Sequence, residues 1–156
     1  MNAVIACGGT GGHLFPGLAV AEVLRPRGHE VMLFISENEI DALAVSNRSE
    51  FRFEKLPTIG LPSPFSPTIF RFSQRFYESL ASCRRIYRKF SPHAVLGMGG
   101  FTSTAPIMAG RMRPVPPFIH ESTATPVKSP PPTPPIVRTV LLAVSHCSPF
   151  LPAPLS

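Results

Sequence analysis

The chain has 156 residues, 44% of them hydrophobic, and a formal net charge of +6 at pH 7, which suits one folded domain and excludes two of ordinary size. No apolar run is long enough for a membrane-spanning helix. The amino terminus lacks the basic region and apolar core of a signal peptide, so we expect a cytoplasmic protein. The three cysteines show neither metal-ligand spacing nor the even count of a disulfide framework.

The first predicted elements are a strand, a glycine-rich turn and a helix. An apolar run over 3–6 precedes the turn over 8–12, which contains four glycines, and an apolar segment over 18–24 follows it. We expect Pro16 in the first turn of the helix, where a missing N–H costs nothing. Glycines let the backbone approach a ligand, and the amides and dipole of a helix start attract phosphate. The turn therefore predicts an anion site.

Two common phosphate motifs do not fit this turn. A P-loop requires a lysine followed by Ser or Thr, and no lysine stands at that spacing. A dinucleotide fingerprint that uses Gly9 and Gly11 needs a third glycine where the chain has Leu14, which argues against a nicotinamide-dependent enzyme. A purely structural turn, with His13 bonded to the backbone, remains an alternative at this point.

The remaining elements alternate between strands and helices up to about residue 120. Gly28 is predicted to end the first helix. The predicted strands lie over 30–35, 51–54, 93–96 and 117–119. The predicted helices lie over 36–45 (capped by Ser36), 69–90 and 104–112. A loop rich in Pro, Gly and Ser is predicted over 57–67. Such alternation predicts an α/β fold with a doubly wound parallel sheet.

Two further motifs follow predicted strands. The first is a second glycine turn over 97–100 with Phe101 behind it, and the second is the pair His120-Glu121. Ligands of doubly wound sheets lie beyond the carboxyl ends of the strands. We therefore expect these motifs to share one edge of the sheet with the first glycine turn. This convergence is a stronger signal than any one motif.

The composition changes from Pro114 onward, because twelve of the 20 prolines fall there. A helix does not continue through such a cluster. We predict a folded domain over 1–122 and a proline-rich, partly disordered tail over 123–156, with one candidate strand over 136–142.

The predicted helix over 69–90 combines aromatic and basic side chains. Beyond Glu78 the only acid is Glu121, against eight bases, and such one-sided charge favours an anionic partner. The helix is either an ordinary amphipathic helix with its arginines in solvent or a surface that meets anionic lipid. No nucleic-acid-binding motif is present. The residues predicted to contact a membrane are Phe72, Arg75, Phe76, Arg84, Arg85 and Arg88.

Three separated motifs together resemble one protein family. The segments 8–19, 96–101 and 120–122 are similar to motifs in the amino-terminal half of the bacterial N-acetylglucosaminyltransferases of peptidoglycan synthesis. These inverting hexosyltransferases move GlcNAc from UDP-GlcNAc onto undecaprenyl-diphosphate-linked MurNAc-pentapeptide. The resemblance implies a Rossmann-like domain, the acceptor-binding one of a two-domain GT-B enzyme. It also implies a peripheral location on the cytoplasmic face of the bacterial inner membrane.

The resemblance also implies roles for single residues. His13 matches a catalytic base or positioning group, and Glu121 lies in a matching His-Glu motif. Histidine suits removal of a proton from the acceptor hydroxyl, and amides at helix starts suit the departing UDP. The implied substrate-binding residues are Gly9, Thr10, Gly11, Gly12, Gly97, Met98, Gly99, Gly100, Phe101 and Thr123.

The implied partners are UDP-GlcNAc, the undecaprenyl-diphosphate-linked acceptor and the anionic inner membrane surface, with no nucleic acid. No metal or other cofactor is expected, because no carboxylates stand at metal-ligand spacing.

The chain departs from the family in three places. Thr123 stands where the family usually has Asn, prolines over 130–132 stand where the family continues with a helix, and the chain ends at Ser156 without the sugar-nucleotide domain. We therefore expect no turnover by this chain alone. Two alternatives stay open: the acceptor-binding subunit of a split glycosyltransferase, and a non-catalytic module that binds diphosphate lipids or the membrane surface.

Overall fold

The computed structural model describes residues 1–37, 45–46, 48–57, 68–121 and 139–142, with Glu121 and the last segment described by backbone alone. In chain order the elements are β1 (Asn2–Ala6), α1 (Gly11–Leu24), β2 (Glu30–Ser36), β3 (Arg52–Leu56), α2 (Thr68–Phe90), β4 (Ala94–Gly97), α3 (Thr104–Arg111), β5 (Pro117–Glu121) and β6 (Thr139–Leu142). Short 3₁₀ turns follow α1 at Arg25–Arg27 and precede α3 at Phe101–Ser103.

The strands form one parallel sheet in the order β3-β2-β1-β4-β5-β6. From β1 the chain first builds the sheet in one direction through β2 and β3, then returns to the other side of β1 with β4. The order therefore reverses between β1 and β4, which is where ligands bind in folds of this type. The predicted doubly wound parallel sheet is confirmed.

Helices cover both faces of the sheet and close two hydrophobic clusters. On one face, α1 packs against β1 and β2 with buried residues that include Ile5, Leu14, Leu18, Leu33 and Ile35. On the other face, α2 and α3 pack against buried residues that include Val4, Phe34, Tyr87, Val95 and Ile107. Because both faces are covered, the strands are nearly continuous apolar runs, as β2 illustrates.

Tyr87 joins the two helices of the second face. Its hydroxyl donates a hydrogen bond of 3.0 Å to the carbonyl of Pro106 in α3. Its ring stacks on Phe34 of β2, with centroids 6.0 Å apart. Both groups are buried, so this one side chain fixes α2 to the sheet and to α3 together.

The start of α1 differs from the prediction. The helix begins at Gly11, so Pro16 lies in its second turn and its predicted place in the first turn is wrong. The reason is that Thr10 takes the N-cap position with extended backbone and its carbonyl accepts from the amides of His13 and Leu14, each at 3.0 Å. Because Pro16 has no N–H, the carbonyl of Gly12 lacks its intrahelical donor.

Other boundaries shift by a few residues. Ser36 and the pair His120-Glu121 are the last residues of their strands rather than residues that follow them. The predicted stop at Gly28 is confirmed, since this glycine has φ +78 directly after the 3₁₀ turn. Within the predicted tail, β6 pairs with β5, so the sheet continues past residue 122. Most of the predicted helix over 36–45, nearly all of the predicted loop over 57–67 and the rest of the tail lie outside the described residues.

Gly17 sets the spacing between α1 and β1. A Cβ at this position would lie 2.4 Å from Cβ of Cys7 and 3.3 Å from Cγ of Met98. Carbon atoms do not approach this closely, so a side chain here would force the helix or the strand to shift. The backbone of α1 therefore packs directly against Cys7 at this position. The opposite case is Gly12 in the same helix, where the nearest atom would be 3.8 Å away.

We expect Gly17→Ala to lower the free energy of unfolding by about 1–3 kcal/mol, the usual cost of overpacking a core. The matched change Gly12→Ala should leave it unchanged or raise it by about 0.4–1 kcal/mol, because alanine restricts the unfolded chain and meets no obstacle. Urea denaturation followed by circular dichroism measures both. Equal effects of the two variants would contradict the close packing at Gly17.

Candidate functional site

The two glycine turns leave the sheet side by side at the point where the strand order reverses. Ala6 and Gly97 are paired at the carboxyl ends of β1 and β4. The amide of Met98 donates to the carbonyl of Ala6 at 2.9 Å, which holds the turns together beyond the last paired residues. The hydroxyl of Ser103 lies 3.1 Å from the same carbonyl and 2.7 Å from that of Gly99, so it links both turns.

His13 bridges the two turns with its side chain. A Cβ at Gly99 would lie 2.9 Å from Cε1 of His13, and one at Gly100 would lie 3.3 Å from Nε2. The imidazole therefore lies across these two glycines, and only residues without side chains allow it to do so. Among the described residues, no hydrogen-bond partner is present for its buried Nδ1 atom.

The first turn of α1 retains the polar features of an anion site. The Thr10 side chain makes no capping hydrogen bond and the first turn contains no acidic residue. Neither the hydroxyl nor a carboxylate therefore competes with a bound anion for the amides of this helix start. Gly9, Thr10 and Gly12 are exposed at the same edge, and Gly9 has φ +109, a conformation that favours glycine.

The structure places most predicted site residues at this edge. The members of the first turn, from Gly9 to His13, meet the members of the second, from Gly97 to Phe101. Glu121 ends β5 at the same edge by its backbone position, and Thr123 lies outside the described residues. The predicted catalytic and substrate-binding roles of these residues stay predictions.

Two of the predicted binding residues present no side chain to the edge. Met98 is 1% exposed and packs against α1 near Gly17. Gly97 is buried, and a Cβ there would lie 2.8 Å from Cδ1 of Ile107 and 2.9 Å from Cβ of Ser103. Their contribution to a ligand site is therefore through the backbone.

Sequence reasoning missed two polar residues at this edge. Ser103 is not among the predicted residues, although its hydroxyl stands only six residues after the last residue of β4. His120 is predicted only as part of its motif. Its Nδ1 atom is buried, and the described part of the chain provides it with no partner.

Cys83 is not suited to nucleophilic chemistry, because its thiol is buried. Cys7 and Cys83 are both buried, and neither forms a disulfide. Burial raises the pKa of the Cys83 thiol to about 12, so the thiol stays protonated at neutral pH. In the described ranges no group of three or more His, Cys, Asp or Glu side chains is placed to hold a metal ion.

Helix α2 presents two aromatic surfaces, only one of which was predicted. Phe72 and Phe76 are half-buried, whereas Phe70 is 81% and Tyr77 is 72% exposed. The arginines of the predicted membrane contact are all exposed, namely Arg75, Arg84, Arg85 and Arg88. Arg75 also forms an ion pair of 3.0 Å with Glu37. The membrane role of these residues stays a prediction, and the exposed aromatic side chains of this helix are Phe70 and Tyr77.

No helix within the described ranges has both the length and the apolar character needed to cross a bilayer.

Comparison with known proteins decides the family. Residues 3–142 match the glycosyltransferase family 28 N-terminal domain. The chain belongs to this family. The resemblance that three motifs indicated is therefore confirmed, and the match includes both glycine turns, β5 and β6.

Two curated relatives with the same protein name are similar to this chain. The chain is 33% identical over 154 residues to the UDP-N-acetylglucosamine--N-acetylmuramyl-(pentapeptide) pyrophosphoryl-undecaprenol N-acetylglucosamine transferase of Trichlorobacter lovleyi. The aligned residues are 97% of this chain and 40% of the relative. The protein of that name from Geobacter metallireducens is 38% identical over 128 residues, or 81% of this chain and 35% of the relative. The chain thus spans about 40% or less of the length of these relatives.

Solved structures confirm the Rossmann-like fold of a GT-B amino-terminal domain. The crystal structure of MurG from Acinetobacter baumannii superposes with a TM-score of 0.80 at 21% identity, covering 97% of this chain and 43% of that one. A UGT transferase from Siraitia grosvenorii in complex with UDP superposes with a TM-score of 0.54 at 19% identity, covering 78% and 28%. At such identities the likeness shows the fold alone.

The contact between His13 and Gly99 is testable by stability. Gly99→Ala introduces a side chain at φ +97, which costs about 1–2 kcal/mol, and adds a clash with the imidazole. Gly28→Ala is the matched control, because Gly28 has φ +78 and open space around its Cβ. We expect Gly99→Ala to lower the free energy of unfolding by more than Gly28→Ala in urea denaturation.

A double-mutant cycle isolates the clash. In a His13→Ala background, the cost of Gly99→Ala should fall toward that of Gly28→Ala, since only the backbone strain remains. A cost of Gly99→Ala that is unchanged by the loss of His13 would contradict the proximity of the imidazole to this turn.

Proposed function

We propose that this chain is the acceptor-binding part of a glycosyltransferase that moves GlcNAc from UDP-GlcNAc onto undecaprenyl-diphosphate-linked MurNAc-pentapeptide. The observation that carries the proposal is the position of the His13 imidazole across Gly99 and Gly100. It brings together two glycine turns that are distant in sequence, with a ring nitrogen and a helix start beside them. The substrates in this proposal are those in the names of the two relatives, of which this chain matches 40% and 35% of the length.

The geometry suits an inverting transfer. The acceptor hydroxyl attacks the anomeric carbon of GlcNAc while His13 takes its proton, and the bond to the UDP oxygen breaks. The departing diphosphate carries the developing negative charge, which the amides at the start of α1 stabilise. The backbone of the second glycine turn, near Gly99 and Gly100, holds the diphosphate of the acceptor. Glu121, at the end of β5, is the second catalytic residue in this proposal.

The outward side of α2 is proposed as the contact with the anionic inner membrane surface, which would make the protein peripheral on its cytoplasmic face. Phe70 and Tyr77 are exposed two helical turns apart, so they lie along one stripe. Arg84 and Arg88 continue that stripe, with Arg85 beside it. Exposed rings enter the headgroup region while arginines pair with anionic lipid.

A chimeric enzyme tests the proposed transfer. The chain alone, mixed with UDP-GlcNAc and the lipid-linked acceptor, should form no disaccharide product. Fusion to the carboxy-terminal part of the Trichlorobacter lovleyi relative should restore product formation, measured with radiolabelled GlcNAc. In the fused enzyme His13→Ala should lower kcat by about 10²–10⁴-fold, the usual contribution of a general base.

His29→Ala is the control for that experiment, because His29 lies at the opposite edge of the sheet, beside the amino terminus. It should leave kcat unchanged. A folded chimera without activity would contradict the proposed transfer, and equal rates for the His13 and His29 variants would contradict the role of His13.

Vesicle binding tests the membrane contact. Replacing Arg84, Arg85 and Arg88 together by Gln should weaken binding to vesicles that contain anionic lipid by at least about tenfold, since each base near such a surface contributes about 1 kcal/mol. The control replaces Arg25, Arg27 and Lys55, which are equally exposed, by Gln. Co-sedimentation measures both. Equal losses would indicate net charge rather than a defined α2 surface.

A further inference from the structure

Three aromatic rings form a continuous row from the second glycine turn onto α2. Phe101 directly follows Gly100, and its ring centroid lies 6.1 Å from that of Phe72, with the rings perpendicular. Phe72 in turn stacks with Phe76, with centroids 6.1 Å apart and planes within 16°. Both arrangements are typical of favourable aromatic pairs. The row therefore connects the edge of the sheet that holds the site with the amino-terminal half of a helix that follows a different strand.

The three rings of the row keep part of their surface accessible. All three rings are half-buried, and Phe76 packs against the hydrophobic cluster beneath α2. The row is distinct from the outward stripe of Phe70 and Tyr77. At about 100° per residue, Phe72 lies about 200° around the helix from Phe70, so a flat lipid surface that meets one of these rings does not meet the other.

The row begins directly after the second glycine turn, because Phe101 follows Gly100. Gly99 and Gly100 adopt φ +97 and +69, and the imidazole of His13 lies against them. An apolar strip that starts beside such a turn complements a molecule in which an apolar chain is joined directly to a diphosphate. A bilayer surface places polar headgroups beside its phosphates, and a free nucleotide places a sugar there, so neither places an apolar chain against the strip. An isoprenoid diphosphate matches both parts.

We propose that Phe101, Phe72 and Phe76 form a track that holds the first part of the isoprenoid chain of a diphosphate-linked lipid whose diphosphate lies at the Gly97–Gly100 turn. This inference rests on the proposed function, because it takes the glycine turn as the acceptor's diphosphate site. It adds that the chain recognises the lipid itself and not only the diphosphate. The lipid thus leaves the bilayer by its first isoprene units to reach the site.

Isothermal titration calorimetry of the purified chain tests the track with inorganic diphosphate, geranyl diphosphate and farnesyl diphosphate. Each methylene that leaves water strengthens binding by about fourfold. We therefore expect farnesyl diphosphate to bind at least about tenfold more tightly than inorganic diphosphate. Phe72→Ala should remove most of this difference and leave the affinity for inorganic diphosphate unchanged.

Phe70→Ala is the matched control, because it removes an exposed ring two residues away in the same helix. It should leave all three affinities unchanged. Equal weakening by both variants, or equal affinity of the wild-type chain for all three compounds, would overturn the track. Absence of binding to inorganic diphosphate would instead contradict the proposed function.

A second measurement needs no substitution. A farnesyl diphosphate analogue with a photoreactive group on its chain should label α2 of the wild-type protein. Trypsin cleaves after Arg71 and Arg75, which separates Phe72 from both Phe70 and Phe76. Mass spectrometry should find the label on the fragment 72–75, and inorganic diphosphate in excess should prevent it. Labelling confined to the fragment that ends at Arg71 would overturn the track.

Discussion

The pairing of β1 with β4 is the constraint on which the candidate site depends. Ala6 lies opposite Gly97 in the sheet, and the next amide along, that of Met98, donates to the carbonyl of Ala6. Two turns that are far apart in sequence therefore leave the sheet together, and the imidazole of His13 reaches from one to the other. A change of register by one residue would turn every side chain of β4 to the other face and would separate this ring from Gly99.

Much of this arrangement was predictable, because it follows from local chemistry. The apolar run of β2 indicated a strand buried on both faces, and Gly28 marked the end of the first helical segment because its φ is positive. The alternation of strands and helices indicated a parallel sheet, and such sheets bind ligands at their carboxyl ends. This rule alone predicts that both glycine turns and His120 lie at one edge of the sheet.

The remaining features depend on packing between distant segments. Helical spacing relates Phe72 to Phe76 as well as it relates Phe70 to Tyr77, so spacing alone does not decide which pair packs against the sheet. Phe72 and Phe76 are the pair that packs inward, because the folded chain brings Phe101 against Phe72. The position of Pro16 was missed for a similar reason. The helix started earlier because the carbonyl of Thr10 was available to two amides, and composition does not reveal such an acceptor.

The two ends of α2 therefore make different contacts. The carboxy-terminal end is fixed by Tyr87, whose hydroxyl binds the carbonyl of Pro106 and whose ring stacks on the sheet. Helix α3, which contains Pro106, begins directly after the turn that carries Phe101. The bond from Tyr87 thus holds α2 against the helix that follows the second glycine turn, whose Phe101 contacts Phe72. The carboxy-terminal end of α2 is thus held by buried contacts, whereas Phe72 and Phe76 in its amino-terminal half keep accessible surface that a ligand can contact.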